Sequence, residues 1–170
     1  TLLGEASERK NMSKIYNAID VAKYMVDKCT REDRPISNLQ LQKILYFLQG
    51  ESYKECREPL FSNRIEAWPY GPVVPDVYYR YSAGGGVPIC MFYEDADEAI
   101  EPQDREWLNP LIEHYGGMDV WDLVDLSHTE GAPWDRTMKA KGGGTIPEEW
   151  ISCYSWDIVR QSSINEEAQK

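Results

Sequence analysis

The sequence predicts a mainly helical α+β domain with a small element of two or three short strands. Three observations carry that expectation. Apolar residues recur at helical spacing in five to seven segments, most opened by a capping residue or a proline. Period-two alternation is confined to short stretches bounded by Pro and Gly. The 170 residues, 42% hydrophobic, show no internal repeat and no shift that would mark a second domain.

The first helix is expected over 17–29. Asn17 can cap it, Asp20 places negative charge in its first turn, and Ala18, Val21, Ala22 and Met25 share a face. "REDRP" ends it at Pro35. The second helix has the best start signal in the chain. Ser37 and Gln40 make a capping box, with Ile36 and Leu41 as its hydrophobic staple. Leu41, Ile44, Leu45 and Leu48 form a core-facing stripe, so an amphipathic helix is expected to about Tyr53.

Ile65 and Ala67 alternate with polar neighbours, which predicts a short strand ending at Pro69. "PYGP" is a turn in which Gly71 takes backbone angles closed to other residues. Pro75 opens a helix over about 75–82. "VPICMFY", 87–93, is a second strand candidate, and "EDADEAIEPQD" is an acidic loop. Pro102 opens a helix to Tyr115 and Gly116, with Pro110 expected to kink or split it at Asn109. Further helices are expected over 119–128, from Pro133, and from about Pro147 to Arg160, with "GGG" at 142–144 a flexible connector.

Residues 1–11 read as a leader or an appended remnant with Met12 as the natural start; a disordered natural extension is the alternative. Residues 12–161 are expected to be the single domain, and 162–170 a polar tail.

A net charge of −11 disfavours binding to nucleic acid or an anionic membrane, because both need clustered Lys and Arg. It would steer in a basic protein, or serve only solubility. No apolar run approaches the ~20 residues of a membrane span, and no secretory pattern opens the chain, so a cytoplasmic protein is the expectation. Cys29, Cys56, Cys90 and Cys153 form no C-x-x-C pair and are expected to be buried reduced thiols, disulfides being the alternative in a secreted chain.

Catalytic chemistry finds little support. His114 falls near a helix C-terminus, a surface or capping position. His128 fastens a helix end to the next loop, or else is a general base oriented by Asp125 or Glu130. The glycine runs lack the Lys and Ser/Thr of a phosphate loop, and the acidic clusters match no calcium or two-metal pattern. No cofactor and no metal is expected. Dense Trp, Tyr and Pro without a catalytic set point to a firm core and a recognition surface. In "IEAWPYGPVVPDVYYRY", Trp68 and Tyr78 are expected to pack inward. Tyr79, Arg80 and Tyr81 follow on the short helix as candidates for partner contact.

Three phrases taken together carry a family resemblance. Leu41, Gln42, Lys43 and Tyr46 match a Leu-Gln-Lys-x-x-Tyr helix. Ala67, Trp68, Tyr70, Gly71, Pro72, Val73, Val74 and Tyr78 match an Ala-Trp-x-Tyr-Gly-Pro-Val-Val phrase and the helix after it. Tyr115 and Gly116 match a Tyr-Gly pair, and Leu123, Leu126, Ser127, His128, Glu130, Pro133 and Trp134 match the closing phrase. In order and spacing these resemble the Panacea, or SocA-like, antitoxin family over roughly 15–160. Trp150 and "CYSWDI" depart from the family's closing segment, and "SAGGGVPICMFYEDADEA" has no firm counterpart.

The resemblance implies binding and not catalysis. Such proteins are antitoxins of bacteria, phages and prophages that neutralise a toxin by direct contact, and some hand the toxin to a protease. The expected partner is therefore a cognate toxin, basic if the acidic field steers it, with a protease as second partner in the adaptor alternative. The signature residues are expected to be mostly structural. No basic helix-turn-helix supports binding to a promoter.

Overall fold

Ser37 and Gln40 start the helix around which the fold is built. The computed structural model describes residues 11–157. Ser37 Oγ accepts from the Gln40 backbone N–H at 3.2 Å, and the Gln40 side chain accepts from the Ser37 N–H at 2.9 Å. The expected capping box is therefore complete, and α2 runs Asn38–Cys56. It packs against α1 (Ala18–Arg31), α3 (Pro75–Tyr81), α4 (Pro102–Gly116), α5 (Val120–Ser127) and α7 (Glu148–Cys153). The stripe of Leu41, Ile44, Leu45 and Leu48 is fully buried.

So is most of the other face, and the amphipathic expectation is corrected there. Gln42, Lys43, Gln49 and Glu51 are buried as well, because neighbours surround α2. Their burial is tolerable where each finds a partner. Gln49 Oε1 accepts from the Leu60 and Phe61 N–H groups, its Nε2 donates to the Phe61 carbonyl, and Glu51 accepts from the Tyr115 hydroxyl at 3.0 Å.

α1 begins as expected: the Asn17 side chain accepts from the Ile19 N–H at 2.9 Å. α4 is one continuous helix with Pro110 inside it, so the expected split at Asn109 does not occur; Asn109 is instead held by the Tyr24 hydroxyl of α1 at 2.5 Å. The closing helix is short. α7 ends at Cys153, Tyr154 is extended, and Trp156 tucks back into the core against Gly50 of α2. The remainder of the expected helix, 158–160, lies outside the described residues.

The sheet has three antiparallel strands in the order β2-β1-β3, with β1 at Glu66–Trp68, β2 at Gly71–Val73 and β3 at Gly144–Thr145. Trp68 pairs with Gly71 and Ala67 with Pro72, so Pro69 and Tyr70 form the loop of a tight hairpin. Pro72 sits on an edge strand, where a missing donor costs least. Gly71 carries the backbone reversal, at φ 113°.

Two expectations are corrected here. Residues 87–93 form no strand. Three of their backbone N–H groups go to α1 and the loop after it: Ile89 to the Ile36 carbonyl at 2.8 Å, Met91 to Thr30 Oγ1 at 3.3 Å and Tyr93 to Asp27 Oδ1 at 2.8 Å. The glycines at 142–144 are no loose connector. Gly142 caps α6 (Pro133–Lys141) in the left-handed conformation at φ 73°, and Gly144 starts β3. A Cβ at Gly143 would lie 3.1 Å from the Ala67 carbonyl of β1, so glycine lets the third strand close on the sheet.

Cys29 and Cys56 are buried, but Cys90 and Cys153 are exposed, which corrects the expectation of four buried thiols; none of the four is in a disulfide. Among the described residues no helix is long and apolar enough to cross a membrane.

Candidate functional site

The three signature phrases, far apart in sequence, converge where the β1–β2 hairpin meets α2, α5 and α6. From α2, Gln42 Oε1 accepts from the Val74 N–H at 2.9 Å and Lys43 Nζ donates to the Pro72 carbonyl at 3.0 Å. The Tyr46 hydroxyl accepts from the Trp134 N–H at 3.3 Å. Trp134 Nε1 in turn donates to the Trp68 carbonyl at 2.9 Å. His128, at the C-terminal cap of α5, stacks on Trp134 with ring centres 3.9 Å apart and planes within 5°. Leu41 lies fully buried beneath them.

Ser127 and Glu130 do not join His128 in a catalytic triad. The neighbouring hydroxyl, Ser127 Oγ, donates back to the Val124 carbonyl of its own helix at 2.7 Å. Glu130 is exposed and faces Lys139 at 3.7 Å, away from the role of orienter. His128 Nε2 is buried without a hydrogen bond. Burial holds the imidazole below its ordinary pKa, with the backbone of Tyr70 opposing.

Beside the signature cluster lies a cleft of about 490 Å³ between α2, the hairpin, α3 and α5. Its walls include Lys43, Trp68, Tyr70, Tyr78 and Trp121. Trp68 and Tyr78 are partly buried and form the cleft wall, with ring centres 4.9 Å apart and planes 70° apart. Tyr79 continues the aromatic row, 5.5 Å from Tyr78 and 6.2 Å from Trp68. Of the lining residues Tyr70 is 72% exposed and Trp121 60%; Tyr79, beside the wall, is 66% exposed.

The three contact candidates on α3 divide by helical phase. Pro75 starts the helix so that Val77 and Tyr81, four apart, face the core. Tyr81 is buried with its hydroxyl 2.9 Å from that of Tyr93, and so leaves the surface. Tyr79 and Arg80 point outward. Sequence reasoning missed Trp121, which lines the cleft from the first turn of α5 and is 60% exposed.

Lys43 is the unusual charge of the site. It has no exposed surface, and burial alone pushes its ammonium down to about 7 from an ordinary 10.5. Below the folded value both folded and unfolded chains hold the proton, and the burial penalty is fully present. The penalty fades as pH rises from about 7 towards 10.5, where the unfolded chain also loses its proton. Lys43→Met removes the penalty and loses one hydrogen bond. We expect the variant to be more stable than the parent by on the order of 2 kcal/mol at neutral pH. The gain should shrink in alkaline solution, measured by urea unfolding across pH. A variant destabilised at every pH would show that the Pro72 contact outweighs the desolvation.

The chain matches the family model for the antitoxin SocA-like Panacea domain over residues 41–135, the span that contains the three converging phrases. It is 37% identical over 135 residues to antitoxin SocA of Caulobacter vibrioides (strain NA1000 / CB15N), covering 74% of this chain and 71% of that protein. No solved structure matches it. With the signature residues packed at one corner and the family match spanning them, the chain belongs to the SocA-like antitoxin family of Panacea-domain proteins.

Proposed function

We propose that this chain is an antitoxin that neutralises a cognate toxin by direct contact, and that the toxin docks on the aromatic face around Tyr70, Tyr79 and Trp121. The observation that carries this reading is a set of exposed large aromatics on one face: Tyr70 and Trp121 line the cleft, and Tyr79 packs on its wall residues Trp68 and Tyr78. Exposed aromatics beside an arginine are the residue types that dominate interface energetics. The chain's charge of −11 adds long-range attraction for a basic toxin. Blocking needs no catalytic group: a stable complex would bury about 1,200–2,000 Å² and deny the toxin its target.

Replacing Tyr79 and Arg80 together by Ala should weaken toxin binding at least about thirtyfold, the effect of losing one interface hot spot, and reduce growth rescue on coexpression. Arg80 also gives up its hydrogen bonds to the Tyr93 and Tyr81 hydroxyls, so the double variant should lose some stability, whereas Tyr79→Ala alone should barely move the melting temperature and isolates the binding effect. Unchanged affinity and full rescue would remove this face from consideration. Toxin half-life separates the two modes of neutralisation. Occlusion leaves the bound toxin stable, whereas an adaptor that delivers it to a protease shortens its lifetime.

A further inference from the structure

The geometry points to a second capacity, independent of any toxin: the cleft bounded by Trp68, Tyr78, Trp121 and Lys43 is a binding site for a small carboxylic acid with an aromatic or branched apolar body. Size and lining set the class of ligand. A cleft of about 490 Å³ falls within the ~300–1,000 Å³ of small-molecule sites, which pair apolar walls with a few polar groups. Two tryptophans, two tyrosines, Pro69 and Val73 supply such walls.

Charge selects the acid. Among the described residues no Asp or Glu lines this cleft. Lys43 is the one charged residue among them that does, buried without a counter-charge. An ammonium has three donors, and Lys43 spends one on the Pro72 carbonyl of β2. Ser127 Oγ, near Lys43 across Gly71, is committed to the Val124 carbonyl. His128 of α5, the titratable neighbour whose charge couples to Lys43, is cationic or neutral and cannot compensate it. Asp125 and Asp135 act on His128 and do not perturb Lys43.

A buried cation left unpaired is costly, and the group that relieves it best is a carboxylate brought in by a ligand. Lysine's flexible stem lets the remaining N–H groups swing towards an occupant. The negative net charge of the whole chain does not oppose this, because its contribution is screened beyond roughly 8–10 Å while the ammonium acts at contact distance.

Calorimetric titration of the full chain with indole-3-propionate, and separately with its primary amide, tests the assignment. The acid should bind at least about tenfold more tightly than the amide, a single charge-assisted hydrogen bond's worth. At about pH 8 a group titrating near 7 is mostly neutral, so binding the acid should take up most of one proton, read from two buffers of different ionisation enthalpy. Lys43→Met should abolish the preference for acid over amide and the proton uptake. Trp121→Ala, at an exposed position that the fold does not need, should weaken acid and amide alike. Equal affinity of acid and amide, preference retained in Lys43→Met, or no heat at millimolar acid would each overturn the proposal. So would binding of a peptide's C-terminal carboxylate when the free acid does not bind, since the occupant would then be a protein segment.

Discussion

Gly50→Ala should destabilise the chain by roughly 3–5 kcal/mol, although alanine is the better helix former. Gly50 lies in the interior of α2, where alanine would ordinarily gain about 0.5–1 kcal/mol. A Cβ there would meet three atoms of the Trp156 indole closer than 3.0 Å. Trp156 is among the largest fully buried side chains, packed edge-on to Tyr46 and Tyr154, with its Nε1 donating to the Ile151 carbonyl at 2.9 Å. A rigid indole in that setting cannot give way by rotation, so it must leave its site, and the cost approaches that of deleting the tryptophan. The check is a double-mutant cycle followed by thermal and urea unfolding. Trp156→Ala alone should cost about as much as Gly50→Ala. Gly50→Ala added to Trp156→Ala should become stabilising by up to about 1 kcal/mol, because only the helix propensity remains. Gly116→Ala, where nothing lies within 4 Å of the new Cβ, is the open-space control and should be neutral or slightly stabilising. A cycle that is additive would show that Trp156 is not what excludes a side chain at Gly50.

Gly71→Ala should cost about 3 kcal/mol, for two reasons that add. The backbone at φ 113° is a conformation that residues with a Cβ rarely adopt. The Cβ would also lie 2.7 Å from Lys43 Cε and 2.9 Å from Ser127 Oγ. Lys43 is flexible enough to move, but moving breaks its bond to Pro72 and disturbs the hairpin at which the signature phrases meet. The variant should therefore lose stability and toxin binding together, whereas Tyr79→Ala loses binding alone. Making Gly71→Ala in the Lys43→Met background isolates the steric part: the cost of the glycine change, read from unfolding, should be smaller there than in the parent. An equal cost in both backgrounds would place the whole of it in the backbone.

Most helices were legible because their signals are local. Asn17, the Ser37–Gln40 box, Pro75, Pro102 and Pro133 each start a helix where the sequence places them, since capping and proline geometry act within a single turn. Of the kink or split expected at Pro110, the split does not occur: α4 stays one helix, packed on α2. The strands were harder. β1 was anticipated from Ile65 and Ala67, but β3 is two residues long and exists only because it pairs with β1 across more than seventy positions of chain. Residues 87–93 had strand composition and no partner strand, and α1 took their donors.

The site divides along the same line. The residues of the signature could be named from the sequence, as could Tyr79 and Arg80 on an outward turn. Spacing alone could not show that Tyr81 turns inward, that Trp121 joins the aromatic mouth, or that Trp68 and Tyr78 wall a cleft.

The sequence by itself determined the family, the helical frame and the residues that close its central corner, because caps, turns and motif spacing are properties of short segments. Only the tertiary structure decided that α2 is buried all round, that Lys43 loses its water without gaining a counter-charge, and that Gly50 makes room for Trp156. Burial and approach distance are set jointly by residues far apart in the chain, and no local pattern encodes them.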